Sequence, residues 1–136
     1  MKTYVLDSSA LMTFFENRPG AEEVEEILAG VADAQRPLAM SVVNWGEVYY
    51  SIWRVHGEKA ATAKLQEIAQ LPIQVVDVNM EMTKLAATLK AQHGLPYADC
   101  FAAALAQAQK ATLVTSDKDF HRVATAVKVL WVSGAA

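Results

Sequence analysis

The sequence predicts an α/β protein built on a parallel sheet with helices on both faces, and three observations carry that expectation. Short apolar or β-branched stretches alternate with longer stretches of helical periodicity along the chain, the pattern of strands joined by crossover helices. The strand-like stretch "TLVT" at 112–115 is apolar or β-branched at every position, as a strand covered on both faces is. No repeat, low-complexity tract or linker rich in Gly, Pro or Ser interrupts the alternation, so residues 1–136 read as one domain.

Taken in order, "TYVLD" is a short strand and a helical piece over about Ser9–Glu16 follows, broken at Pro19-Gly20. Val24, Ile27, Leu28 and Val31 then recur at i, i+3, i+4 and i+7, the apolar stripe of an amphipathic helix. "PLAM" is the next strand, and Ser41 suits the N-cap of a helix that runs to about His56-Gly57. Ala61, Leu65, Ile68 and Ala69 mark another helix, stopped before Pro72, and "IQVVDV" is a strand. Asn79 caps a helix carrying Met82, Leu85 and Leu89 that ends at His93-Gly94. Pro96 opens an alanine-rich helix through about Gln109. "TLVT" and "VKVLWV" are the last strands, with a helical turn near Phe120–Ala124 between them.

Composition narrows the function classes. Apolar residues make up 53% and charged residues 20%, which is ordinary for a globular chain. The opening "MKTYVLD" carries one basic residue and reaches an acid at Asp7, unlike a signal peptide. The longest apolar run, "FAAALA", is far short of the ~18 residues of a membrane span, so no membrane partner is expected. The single cysteine, Cys100, excludes an internal disulfide framework and fits a reducing, cytoplasmic location. The net charge of −3 shows no basic surplus, yet bound divalent cations can reverse the sign of an acidic pocket.

The acids carry the chemistry. In parallel α/β sheets, sites lie beyond the carboxyl ends of the strands. Asp7 follows the first strand and Asp117 follows "TLVT", so both belong to that edge. Asp99 stands in the first turn of the alanine-rich helix, among Ala98, Ala102, Ala103 and Ala106. Glu47 interrupts the apolar company of Val43, Trp45, Val48 and Tyr50. Each has a structural reading too: turn formers for Asp7 and Asp117, a helix-dipole acid for Asp99, a solvated face for Glu47. Taken together they point further, since two follow strands at the same sheet edge and two interrupt apolar stripes; carboxylates brought close repel, and a hard divalent cation relieves the repulsion. On that ground Asp7→Asn is expected to raise the melting temperature of the metal-free protein. No Gly-rich phosphate loop, GxSxG elbow or paired-cysteine zinc motif offers a rival chemistry, and His56, His93 and His121 lack metal-ligand spacing.

"VLDSSA", "SVVNWGEV", "GLPYADCFAAALA" and "TLVTSDKDF", in that order, resemble the motifs of PIN-domain ribonucleases, and most of all the VapC-type toxins of toxin–antitoxin pairs. The resemblance implies a three-layer α/β/α fold with a central parallel sheet of about five strands. It implies an endoribonuclease dependent on Mg²⁺ or Mn²⁺, hydrolysing RNA to 5′-phosphate and 3′-hydroxyl ends. It places Asp7, Glu47, Asp99 and Asp117 at the catalytic acid positions, with Asp7, Asp99 and Asp117 as core metal ligands. Glu47, directly or through water, and Asp119 are further ligand candidates. Ser9, Thr115 and Ser116 are placed to hydrogen-bond the ligand acids. Arg54, Lys118, His121 and Arg122 are candidates for contact with RNA phosphates, and Trp45 and Tyr50 for stacking on bases or for packing. The implied partners are a VapB-type antitoxin and a second copy of the chain, for which the aromatics Trp45, Tyr49, Tyr50 and Trp53 offer a surface.

Three alternatives stand beside this reading. A phosphatase with an aspartate nucleophile after its first strand usually carries a second acid two residues on, where this chain has Ser9. A non-catalytic PIN-like module binding RNA or protein has no need of all four acids. A housekeeping RNA-processing nuclease shares the chemistry and differs in its biology.

Overall fold

The computed structural model describes residues 2–132. Strand β1 (Tyr4–Leu6) leads into α1 (Ser8–Phe15) and α2 (Ala21–Asp33). Strand β2 (Leu38–Ser41) is followed by α3 (Val42–His56) and α4 (Glu58–Gln70). Strand β3 (Ile73–Val76) is followed by α5 (Met80–His93) and α6 (Tyr97–Gln109). Strand β4 (Thr112–Thr115), a 3-10 turn over Lys118–Val123, and β5 (Val129–Trp131) complete the chain.

Local chemistry sets these boundaries. Ser41 and Asn79 cap α3 and α5 by accepting the backbone N–H of Val43 and Met82, satisfying donors that a helix start leaves unpaired. Gly94 ends α5 in the left-handed region at φ 71°, where a side chain is strained. Gly57, at φ 91°, makes the turn between α3 and α4. Among the described residues no helix is long and apolar enough to cross a membrane.

All five strands are parallel, in the order β3-β2-β1-β4-β5. The chain runs outward from β1 to β3, returns for β4 beside β1, and continues to β5. The direction of winding therefore reverses between β1 and β4, the position where open α/β sheets form their crevice. The strand pleat sends Val5, Ala39 and Leu113 to a core shared with α5 and α6. Leu6, Leu38, Met40 and Val114 go to a second core shared with α1, α2, α3 and α4. This is the α/β/α arrangement expected from the alternation.

Coverage on both faces is confined to the middle of the sheet. β2 and β4 are buried at every residue, whereas β3 pairs only over Ile73–Val76 and exposes Gln74 and Val75. β5 is half-buried along its length. These are the two sheet edges, so the apolar character of "IQVVDV" and "VKVLWV" reports strand propensity more than burial. Helix α6 is buried at all seven residues from Cys100 to Ala106. Its alanines let it lie close to the sheet while also packing on α3 and α5.

Candidate metal centre

Asp7 is the fixed point of the site. It leaves β1 with extended backbone and becomes the N-cap of α1, its Oδ1 accepting the Ala10 N–H at 2.8 Å. Its Oδ2 accepts from the Thr115 hydroxyl at 2.6 Å, and the Ser9 hydroxyl lies 2.8 and 2.9 Å from the two oxygens. Thr115 is fully buried at the end of β4, and Asp7 is 2% exposed. The capping role gives a structural reason for a carboxylate at the mouth of a buried strand, where the sequence offered a turn former or a metal ligand. Burial raises the Asp7 carboxyl to about 6, although the Thr115, Ala10 and Ser9 bonds oppose the shift.

The same network holds the next acid. Thr115 Oγ1 accepts the backbone N–H of Asp117 at 3.0 Å, and Ser9 Oγ accepts that of Ser116 at 3.1 Å. Thr13, buried in α1, donates to the Ser116 hydroxyl at 3.1 Å. Ser9, Thr115 and Ser116 thus all take part, joined by Thr13, which sequence reasoning did not single out. Its only signal is the i+4 spacing from Ser9 on one helix face.

Glu47 reaches the site from the second turn of α3. Its Oε1 accepts from Ser8 at 2.9 Å and from Asn44 Nδ2 at 2.8 Å. Asn44 is fully buried and also donates to the Ala98 carbonyl at 3.2 Å, linking α3 to the start of α6 just before Asp99. Its Oδ1 has no hydrogen-bond donor among the described residues. Ser8 and Asn44 were also missed; both flank recognised acids, but their partners lie on other elements.

Asp99 projects from the first turn of α6, and Asp117 and Asp119 flank Lys118 at the start of the 3-10 turn. One carboxylate oxygen from each of these three acids lies within 4.8 Å of the others. Burial raises Asp99 to about 7, followed by the charges of Asp117, Asp7, Glu47 and Asp119. No hydrogen bond reaches the Asp99 carboxylate from the described residues. Asp117 is better supported, its side chain accepting the Asp119 N–H at 2.9 Å.

This donor set fits a divalent cation. It is composed of oxygens, as Mg²⁺ and Mn²⁺ prefer, and two oxygens each ~2.1 Å from one ion are at most about 4.2 Å apart, comparable to the 4.8 Å within which these three lie. The like charges around Asp99 are ones a cation would offset. Asp99, Asp117 and Asp119 are the acids brought together most closely; Asp7 and Glu47 adjoin them through their fields and lie outside the tightest group.

The basic candidates are less uniform. Lys118 is exposed between the two acids. Arg122 is exposed and donates to the Gly94 carbonyl at 3.1 Å. His121 stacks on Trp131 with ring centres 4.1 Å apart and planes 14° from parallel. Arg54 lies in the last turn of α3, two turns and ~10 Å along the helix from Glu47. Trp45 and Tyr49 pack against the second core, while Tyr50 and Trp53 are exposed. Cys100, beside Asp99, is buried with its thiol toward the Leu95 carbonyl at 3.7 Å, a packed residue turned away from the acids.

Comparison with known proteins agrees with this geometry. The family model of the PIN domain matches residues 4–126. A search of curated proteins by sequence gives no match. Among solved structures, the fold is similar to VapBC2 from Rickettsia felis, bound to a fragment of promoter DNA, with TM-score 0.75 and 16% identity over 94% of this chain and 97% of that one. It is similar to VapBC-1 from nontypeable Haemophilus influenzae, with TM-score 0.71 and 21% identity over 96% and 98% of the two chains. It is also similar to VapC20 from Mycobacterium tuberculosis, described as a Sarcin-Ricin loop cleaving toxin, with TM-score 0.65 and 18% identity over 92% and 96%. At such identities the likeness is one of fold, and it extends across almost the whole of each chain. Together with the family match over residues 4–126, which takes in four of the five strands and all the acids described above, it shows that this chain belongs to the PIN domain family.

Proposed function

We propose that this chain is a divalent-metal-dependent endoribonuclease, the VapC-type toxin of a toxin–antitoxin pair, hydrolysing RNA to 5′-phosphate and 3′-hydroxyl ends. The observation that carries the reading is the convergence of Asp99, Asp117 and Asp119 within 4.8 Å at the β1/β4 reversal, next to buried Asp7. Mg²⁺ or Mn²⁺ held there by Asp99, Asp117 and Asp119 would polarise a water for attack and offset charge building on the phosphate.

The protein's part is to hold and orient. Asp99, Asp117 and Asp119 present oxygens from two elements whose positions are fixed by α6 packing and by Thr115. Asp7 receives three hydrogens, from Ala10, Thr115 and Ser9, against about four lone-pair sites on an ionised carboxylate. One site is left for a ligand bond. Glu47 keeps Oε2 open while Oε1 is tied to Ser8 and Asn44, and that oxygen is placed to accept a proton from the attacking water, directly or through a second water. Lys118 is the cation for the RNA backbone, since His121 and Arg122 already have partners within the protein and Arg54 lies further along α3. The exposed Tyr50, Trp53 and Val55 on α3 form the surface for the antitoxin or for a second copy of the chain.

The test is incubation of wild type and Asp99→Asn with total cellular RNA, with Mn²⁺ or Mg²⁺ or with a chelator, followed by sequencing of new ends. Discrete 5′-phosphate ends made only by wild type with metal support the nuclease and name its target. Identical end maps from both proteins contradict it.

A further inference from the structure

The loop bearing Asp117 and Asp119 has a second anchor that the acids do not explain. Trp131 is the last residue of β5, paired with Thr115 across the β4–β5 ladder. Its indole Nε1–H donates to the Asp117 carbonyl at 3.3 Å. The flat face of the same indole lies on His121, two residues beyond Asp119. One side chain from the neighbouring strand therefore grips the acid loop at both ends. Thr115 and Val132 brace it further, since the Val132 N–H donates to the Thr115 carbonyl at 3.0 Å.

Asp119 shows why a grip is needed. It is exposed and stands at the start of a 3-10 turn, whose hydrogen bonds are poorer than those of an α-helix. Two carboxylates on such a turn repel each other and tend to spread. Asp7 and Asp99, by contrast, are fixed by a cap and by a buried helix. We infer that Trp131 and His121 form a clamp that positions Asp117 and Asp119 for the divalent cation, with Trp131 as the principal positioning residue. The inference rests on the proposed metal site and concerns the cost of holding it in shape, not the identity of its ligands.

The experiment is calorimetric titration of the full chain with Mn²⁺ at 25 °C, well below unfolding, together with melting curves without metal. The proteins are wild type, Trp131→Phe, His121→Ala, Asp99→Asn and Val129→Ala. Trp131→Phe keeps a ring for the stack but loses the N–H donor. Val129→Ala weakens the same strand while leaving the indole's hydrogen bond and ring stack in place, and controls for general destabilisation. Trp131→Phe is expected to weaken Mn²⁺ binding on the order of tenfold, the scale for losing a group that orients a metal ligand, and His121→Ala several-fold. Val129→Ala is expected to melt earlier yet bind as wild type does.

Wild-type affinity in both clamp variants overturns the inference and leaves the metal site standing. Equal weakening in Val129→Ala also overturns it, because the effect is then one of strand stability. Absence of saturable binding in wild type removes the metal site and the clamp together. If Trp131→Phe does not fold, His121→Ala, altered on an exposed turn, decides by the same criterion.

Discussion

Asp7, buried, and Asp99, half-buried, are both acids whose carboxyls are raised, to about 6 and about 7, yet their surroundings differ in kind. Asp7 is desolvated but satisfied: a backbone amide and two hydroxyls meet its oxygens, and the residue doubles as a helix cap. Asp99 is partly open, has no hydrogen bond from the described residues, and faces Asp117, Asp119, Asp7 and Glu47. One half of the site is hydrogen-bonded by the protein itself; the other gathers like charge with no hydrogen bond to Asp99 from the described residues. Burial is the largest cause of both shifts; what differs is that hydrogen bonds oppose it at Asp7, whereas at Asp99 like charges add to it, and it is that second situation a cation would relieve.

The largest effect expected from this contrast is on catalysis. Asp99→Asn should lower RNA cleavage by more than the roughly 10–100-fold that loss of an outer partner of a metal ligand costs. Asp7→Asn should also impair cleavage, and rates from single-turnover assays at several Mn²⁺ concentrations separate the two. High Mn²⁺ should restore part of the activity of the more weakly binding variant without restoring a lost positioning role.

Next in size is the stability of the wired half. Thr115→Val removes the donor to Asp7 and the acceptor for the Asp117 N–H while keeping the shape. Leaving buried groups unsatisfied costs about 1–3 kcal/mol, measurable in a urea titration with and without Mn²⁺. A smaller, opposite change is expected at Asp99. Without metal, Asp99→Asn relieves repulsion and should raise the melting temperature, at roughly 3–6 °C per kcal/mol for a chain of this size. The sequence alone suggested Asp7→Asn for this gain. The structure moves the expectation to Asp99, because an asparagine amide at residue 7 would turn a donor toward the Thr115 hydroxyl, which already donates there.

A separate prediction concerns pH dependence. Both carboxyls bind protons more tightly in the folded protein than at their ordinary value of 3.8. The folded state then holds more protons than the unfolded state across this range, so stability falls as pH rises from about 4 through about 7 and levels off above. In chelator, the urea midpoint of wild type should be higher at pH 5 than at pH 7.5. Asp99→Asn should flatten the upper part of that slope, and saturating Mn²⁺ should reverse it, since the metal binds the deprotonated acids.

Much of this was legible in the sequence, for reasons that can be named. Ser41, Asn79, Gly57, Gly94 and Pro96 set helix ends through local chemistry, and α3, α5 and α6 begin and end where those residues predict. The alternation of strands and helices gave the parallel sheet, and the strand–acid junctions placed Asp7 and Asp117 at one edge. Strand order was not legible, because pairing is a long-range choice that periodicity does not record. For the same reason the hydroxyl of Thr13, the amide of Asn44 and the indole of Trp131 were not singled out. Their partners are Ser116, Glu47 with Ala98, and Asp117, all distant or on other elements. Asp119 was ranked below Asp7 as a ligand, yet it belongs to the tightest oxygen group, because Asp7 is drawn into capping α1.

The most direct measurement is the melting temperature of wild type and Asp99→Asn as Mn²⁺ is titrated from chelator-treated protein. If the open half of the site needs a cation, the variant starts higher and stays nearly flat, while wild type rises with the logarithm of Mn²⁺ once the dissociation constant is passed. Equal shifts in the two proteins, or no shift in wild type, would contradict a metal centre at Asp99, Asp117 and Asp119.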